Sequence, residues 1–242
     1  MKIALIGYGK MGKQIEQIAV ALKHEVVLKI DDKNLDDFTS ENLKKADVAI
    51  EFTTPKSAPG NILKCIETGV PVVSGTTGWL DKFEEVKKIC LEKNQAFFYA
   101  SNYSIGVNLF FKLNDYLAGL MKTHPEYFPS MEEIHHTQKK DAPSGTAITL
   151  AEGLIKAHGG ITKWALSDNK EQKQGELPIH SLRIGEVSGT HTVSYTSPVD
   201  EIKITHEAYS RKGFAEGAVH AAAWLIGKKG VFGMKDMLND KL

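Results

Sequence analysis

Lys2-Ile3-Ala4-Leu5-Ile6-Gly7-Tyr8-Gly9-Lys10-Met11-Gly12 decides how this chain begins. The unbroken apolar run Ile3 to Ile6 predicts a short buried strand, and it stops at a glycine. A helical pattern over 10–23 follows directly. Between the two, Gly7, Gly9 and Gly12 stand in the spacing G-x-G-x-x-G. The first glycine makes a tight turn, the second lets the backbone approach a pyrophosphate, and the third lets helix and strand pack closely. Free N–H groups at the helix start then face the phosphates. In this setting Gly7, Tyr8, Gly9, Lys10, Met11 and Gly12 form a candidate dinucleotide turn.

Working outward, Val26–Ile30 reads as a second strand that ends at Asp31, 19 residues beyond Gly12. That spacing suits a carboxylate accepting hydrogen bonds from the adenine-side ribose. Asp32 follows, with Lys33 close by and no arginine beside it. A 2′-phosphate would meet two carboxylates, so NADH is expected to serve at least as well as NADPH. Asp47–Ile50, Val70–Val73 and Ala96–Tyr99 predict further strands, separated by helices that open at Thr54-Pro55 and Trp79. Strands alternating with helices predict a Rossmann-type parallel sheet. Gly75-Thr76-Thr77 and Ala100-Ser101-Asn102-Tyr103 follow two of these strands, where ligands bind in such sheets.

The pattern then changes. A long amphipathic helix over 107–121, a strand over 131–136 and a helix from Ser144 precede a polar stretch, 159–178, expected to be a loop. Three closely spaced strands follow, over 181–185, 190–196 and 201–207, and the turn Ser197-Pro198-Val199-Asp200 suits antiparallel pairing of the last two. The expectation is a smaller α+β domain over 104–213 with an open, largely antiparallel sheet. Residues 1–103 form the dinucleotide domain, rejoined by 214–242 through an Ala-rich helix. The thirty Lys and Arg balance thirty Asp and Glu, which removes any electrostatic case for nucleic acid or an anionic membrane. No apolar run approaches the roughly 20 residues that span a bilayer. Cys65 and Cys90 sit in helix-like patterns and read as thiols, so a cytoplasmic protein is expected.

The densest polar cluster runs from Glu133 through His135-His136, Lys139 and Asp141-Ala142-Pro143 to Ser144-Gly145-Thr146. Adjacent histidines on a strand face opposite sides, so the strand must end near His136 and turn before both can serve one pocket. Ser144-Gly145-Thr146 opens a helix whose N–H groups and dipole suit an anion, most plausibly a carboxylate. His135, His136 and Asp141 could serve as metal ligands, but their spacing fits no common zinc signature and cysteine ligands are absent, so no metal is expected.

These segments resemble the dihydrodipicolinate (4-hydroxy-tetrahydrodipicolinate) reductase family over nearly the whole chain. The resemblance rests on the glycine turn at 7–12, Glu51-Phe52-Thr53, the loop at 75–78, the run at 100–108, and above all the segment from Glu133 to Ala147. It implies that His135 and Lys139 are catalytic, with Lys139 giving a proton to the substrate. It implies that His136 touches one substrate carboxylate and that Gly145 and Thr146, with Ser144, hold the other. The turn at 7–12, Asp31, Gly75–Thr77, Ala100–Tyr103 and Arg211 correspond to contacts of NADH or NADPH. The implied reaction is reduction of a small cyclic dicarboxylate with loss of water, by a homotetramer. Asp32 stands where some members carry an arginine. Two rivals share the build: an amino-acid dehydrogenase, which would not need the 139–146 constellation, and a dinucleotide sensor, which would lack catalytic residues.

Overall fold

The computed structural model describes residues 1–167, 174–210 and 212–240. The chain divides into two compact units, one of Met1–Ile105 with Lys212–Leu242, the other Gly106–Arg211. The first unit runs β1 (Lys2–Ile6), α1 (Lys10–Ala21), β2 (Glu25–Ile30), α2 (Ser40–Leu43), β3 (Val48–Glu51), α3 (Ala58–Thr68), β4 (Val72–Ser74), α4 (Phe83–Glu92) and β5 (Ala96–Tyr99). Helix α5 (Ile105–Met121) leads into the second unit. There follow β6 (Phe128–His135), α6 (Gly145–His158), β7 (Lys163–Leu166), β8 (Glu176–Arg183), β9 (Thr190–Thr196) and β10 (Glu201–Glu207). The end of the chain returns to the first unit as α7 (Lys212–Leu225), β11 (Gly230–Phe232) and α8 (Met234–Asn239).

The first sheet has the order β11-β5-β4-β3-β1-β2, and every neighbouring pair is parallel. Its central strands are buried along their length, which is why they read as continuous apolar runs rather than alternating ones. Successive side chains still serve opposite layers. Ile3, Leu5, Val48 and Ile50 pack with α1 and the alanines of α7, whereas Ala4, Ile6, Ala49 and Val72 pack with α3 and α4. Helix α3 ends at Gly69 (φ +82°), as expected, but the proline of its first turn is Pro59 rather than Pro55. The expected helix from Trp79 forms its regular part only at Phe83, after a tighter turn over Leu80–Lys82. The closing segment is more than a helix and a tail, because β11 extends the sheet beside β5.

The second sheet has the order β10-β9-β6-β8-β7. It is mixed: β9 pairs antiparallel with β6 and β10, while β8 lies parallel to both β6 and β7. The stretch expected to be a loop therefore contributes β7 and the first residues of β8, with 168–173 outside the described residues. Its polar composition hid these strands because β7 is a half-exposed edge. Along β6 burial alternates, so Pro129, Met131, Glu133 and His135 share the inner face. Met131 joins Leu150 and Leu154 of α6, Ile179 of β8 and Val193 of β9 in one apolar core. Glu133 and His135 continue that same face toward the end of the strand.

Helix α7 lies so close to residue 103 that a Cβ at Gly217 would come 1.8 Å from the Tyr103 carbonyl oxygen. Backbone cannot yield as a flexible side chain can. Gly217→Ala is expected to lower unfolding free energy by about 1–3 kcal/mol, the cost of overpacking. A urea melt of the full chain measures it.

Candidate active site

The glycine turn is built as its spacing demands. Gly7 has φ +96°, and a Cβ there would lie 1.9 Å from the Phe52 carbonyl oxygen. At Gly12 a Cβ would lie 2.4 Å from the Gly7 carbonyl, so the helix rides directly on the turn. Gly9 differs, since nothing lies within 4 Å of where its Cβ would stand. The space in front of α1 is thus open to a ligand. The N–H groups of Lys10, Met11 and Gly12 precede the first helical bond, from Lys13 N–H to the Gly9 carbonyl at 3.1 Å. These features fit a dinucleotide pyrophosphate. Beside them the Tyr8 hydroxyl donates to Glu16, which also pairs with Lys29 at 3.2 Å.

Asp31 lies just beyond β2, where Oδ1 accepts the Lys33 N–H at 2.8 Å and Asn34 Oδ1 accepts the Asp31 N–H at 2.8 Å. This turn fixes the carboxylate at the strand end. Two other expected contact residues turn their side chains inward. The Thr76 hydroxyl donates to buried Glu51 at 2.9 Å, and the Tyr103 hydroxyl donates to the Ser74 carbonyl at 2.6 Å. Any contact these two make with a cofactor therefore falls to their backbone. Ala100 is buried, Ser101 and Thr77 are exposed, and Gly75 and Asn102 are half-buried. Arg211 lies outside the described residues.

Glu51 carried no assigned role in the sequence, yet it organises these strand ends. Ser74 Oγ donates to it at 2.6 Å, Thr53 N–H at 3.1 Å, and Thr53 and Thr76 through their hydroxyls. Burial raises its pKa above the usual carboxylate range, against the pull of these donors. A charged residue closing a fully buried strand was the signal that could have found it.

In the second unit the chemistry gathers around another buried acid, Glu133. The Ser144 N–H donates to its two oxygens at 3.2 and 3.0 Å, and Arg183 donates to Oε1 at 3.2 Å. His135 Nε2 lies 3.6 Å and His191 Nε2 3.8 Å from Oε2. Burial alone would raise the Glu133 pKa, but the hydrogen bonds from Ser144 and Arg183 outweigh it and hold the carboxyl low. Arg183 also donates to the backbone carbonyls of Lys139, at 3.3 Å, and Asp141. One guanidinium therefore fastens the whole turn between β6 and α6 to Glu133.

On that turn Lys139 Nζ pairs with Asp141 at 2.8 Å, and its hydrogen bond holds the Asp141 carboxyl below the usual range. His136 lies just beyond the strand, its carbonyl accepting the Lys139 N–H at 3.1 Å. Ser144 caps α6 by accepting the Ala147 N–H at 3.2 Å, and its side chain is buried against His191 Nε2 at 3.1 Å. Ile148 N–H bonds the Ser144 carbonyl. The N–H groups of Gly145 and Thr146 remain as the two that no cap takes among the described residues. Free N–H groups at a helix start suit an anion.

Burial lowers the pKa of His135, and Lys139 and Arg183 add to the effect, against Glu133. Burial pushes His191 further, down to about 4. From the sequence no site role fell to His191, Glu133 or Arg183. Register unites them, since Glu133 faces His191 across one ladder and His135 faces Arg183 across the other. Donor atoms of Glu133, His135 and His191 fall within 4.8 Å of one another, close enough for a metal. A cation on His191 Nε2 would, however, drive the ring proton to Nδ1, which has no acceptor among the described residues. The set fits a hydrogen-bonded network better.

A parallel sheet with a glycine turn, joined to a second unit bearing a lysine, a histidine and an open helix start, defines a two-unit nicotinamide-dependent reductase. The family models for the dihydrodipicolinate reductase N-terminus and C-terminus match residues 1–103 and 106–238. The chain is 50% identical to a 4-hydroxy-tetrahydrodipicolinate reductase of Christiangramia forsetii, across 99% of this chain and 98% of that one. It is 37% identical to the same-named protein of Methanoregula boonei, across 81% of this chain and 76% of that one. A dipicolinate-bound dihydrodipicolinate reductase from Paenisporosarcina sp. TG-14 superposes with TM-score 0.82 at 23% identity, covering 98% of this chain and 99% of that one. The chain belongs to the dihydrodipicolinate reductase family.

The His191 shift sets a pH dependence. Its folded pKa lies below the unfolded value of 6.5, at about 4, so the unfolded chain binds the proton first as pH falls. Stability is full above pH 6.5 and declines as pH drops from 6.5 toward 4, by about 3 kcal/mol from this residue. Burial lowers His158 and His206 as well, which adds in the same direction. Urea melts at stepped pH should show this slope, and it should flatten in His191→Gln.

Proposed function

We propose that the chain uses NADH or NADPH to reduce 4-hydroxy-tetrahydrodipicolinate to tetrahydrodipicolinate with loss of water, a step of lysine and diaminopimelate biosynthesis. The carrying observation is the turn between β6 and α6, where Lys139, Asp141 and the helix start at Gly145-Thr146 are fastened by Arg183 to Glu133. The named activity of the half-identical relative supports the same reading. When bound, the reduced nicotinamide supplies the hydride. Gly7 to Gly12 and Asp31 hold the dinucleotide, with the backbone at Gly75–Thr77 and Ala100–Tyr103 toward its nicotinamide side, and Arg211 a further contact. His136 and the Gly145 and Thr146 N–H groups grip the substrate carboxylates, Ser144 contributing as the cap that fixes those two groups.

Lys139 Nζ, held beside Asp141, gives the proton to the substrate carbon next to the one reduced. Its charge also offsets negative charge that develops there. His135 stands behind it as the positioning partner. Lys139→Ala should cut kcat by roughly 10²-fold or more, the scale of a lost proton donor. Stopped-flow or steady-state NADH absorbance with the hydroxylated precursor reads this directly, and near-normal turnover would remove Lys139 from the role.

Cofactor choice follows from charge. Asp31 and Asp32 close β2 without an arginine, which supports NADH being used at least as well as NADPH. Comparing kcat/KM for the two cofactors tests this, and a strong NADPH preference would overturn it. We infer assembly as a homotetramer, without nucleic acid or membrane partners. Leu109, Leu113, Tyr116 and Leu120 support self-association, forming an exposed apolar stripe along α5. No helix among the described residues is long and apolar enough to cross a membrane. The two buried, unpaired cysteines are consistent with a cytoplasmic setting.

A further inference from the structure

The proton positions on His135 and His191 follow from their partners. His191 Nδ1 is buried and has no partner among the described residues. A stranded N–H there would cost more than an unmet acceptor, so the proton of His191 sits on Nε2. His135 Nε2 lies 3.4 Å from that nitrogen. Two N–H groups would meet head to head at this distance, so neutral His135 keeps a lone pair on Nε2 and carries its proton on Nδ1.

Ser144 Oγ, which accepts the Ala147 N–H, lies 3.1 Å from the same His191 Nε2. The His191 N–H is therefore shared between two acceptors, the Ser144 oxygen and His135 Nε2.

We propose that His191 is a positioning residue for the reaction, its Nε2–H directed at His135 Nε2 so that His135 is held neutral and protonated at Nδ1. This rests on the reading of the second unit as the substrate site. Protonating His135 at Nε2 would set two N–H groups head to head, so His135 acts as a fixed neutral ring and the ammonium of Lys139 remains the acid. The charged groups facing His135 are Glu133 on β6, Lys139 on the following turn and Arg183 on β8. His191 also faces His206 on β10. The two cations oppose protonation of His135, and Glu133, which favours it, is already engaged by Ser144 and Arg183.

Imidazole ¹⁵N NMR of the full chain tests the assignment without turnover. Wild type should show a protonated Nδ1 on His135 and a protonated Nε2 on His191. His191→Leu removes the opposing N–H, and the His135 titration and the acid limb of kcat/KM should both move up by about half a pH unit or more, the size of one hydrogen bond. His191→Gln keeps an N–H at the matching position and should titrate like wild type. A His135 protonated at Nε2, or an unmoved titration in His191→Leu, overturns the proposal. If His191→Leu does not fold, the wild-type tautomers decide it. Absent reduction of the substrate with the tautomers as stated would sink the functional reading and leave this assignment standing.

Discussion

A carboxylate with no exposure to water sits at the centre of the second unit, and its surroundings are arranged to make that tolerable. An uncompensated buried charge costs several kcal/mol, and removing one partner of a buried pair typically costs about 3–5 kcal/mol. Glu133 meets this constraint with a backbone N–H and a guanidinium. Each of those donors also does something else. The N–H belongs to the residue that caps α6, and the guanidinium holds the carbonyls of the lysine-bearing turn. The need to satisfy one buried acid thus fixes the start of α6 and the lysine turn in a single arrangement.

The first unit repeats the device with Glu51. Its donors come from the ends of β3 and β4, so the loops that follow those strands are set relative to one another. Tyr103 braces the same place from the next loop by bonding the Ser74 carbonyl. Both units thus hold their strand-end loops with a buried carboxylate, and both leave backbone N–H groups at a helix start available for an anion. The turn at 7–12 achieves this with glycines, whereas the start of α6 uses a serine cap.

Most of the first unit was legible in the sequence, because a buried parallel sheet announces itself by apolar runs and glycine punctuation. Residues 7–12 and the five strands from Lys2 to Tyr99 needed only local pattern. The second sheet was harder. β7 is a half-exposed edge in polar sequence, and the start of β8 pairs with that same edge, Glu176 opposite Lys163, so neither leaves a strong local signature. Lys139 and the helix start at Gly145 were visible because motif and capping chemistry coincide there. Glu133, Arg183 and His191 were in view but without roles, since strand register unites them and register is not a property of any one segment. Alternation along β6 did hold a clue: Glu133 shares the phase of Met131, which lies in the core.

The first unit is also discontinuous, with β11 and α7 supplied by the last residues of the chain. A ribosome making this protein delivers the outermost strand and the helix covering Val48, Ile50 and Phe98 only after the second unit has emerged. Until then the side of this sheet that α1 and α7 share is only partly covered, a state prone to aggregation. The unit begun first is completed after its neighbour, and loss of residues 212–242 would strip it of that cover.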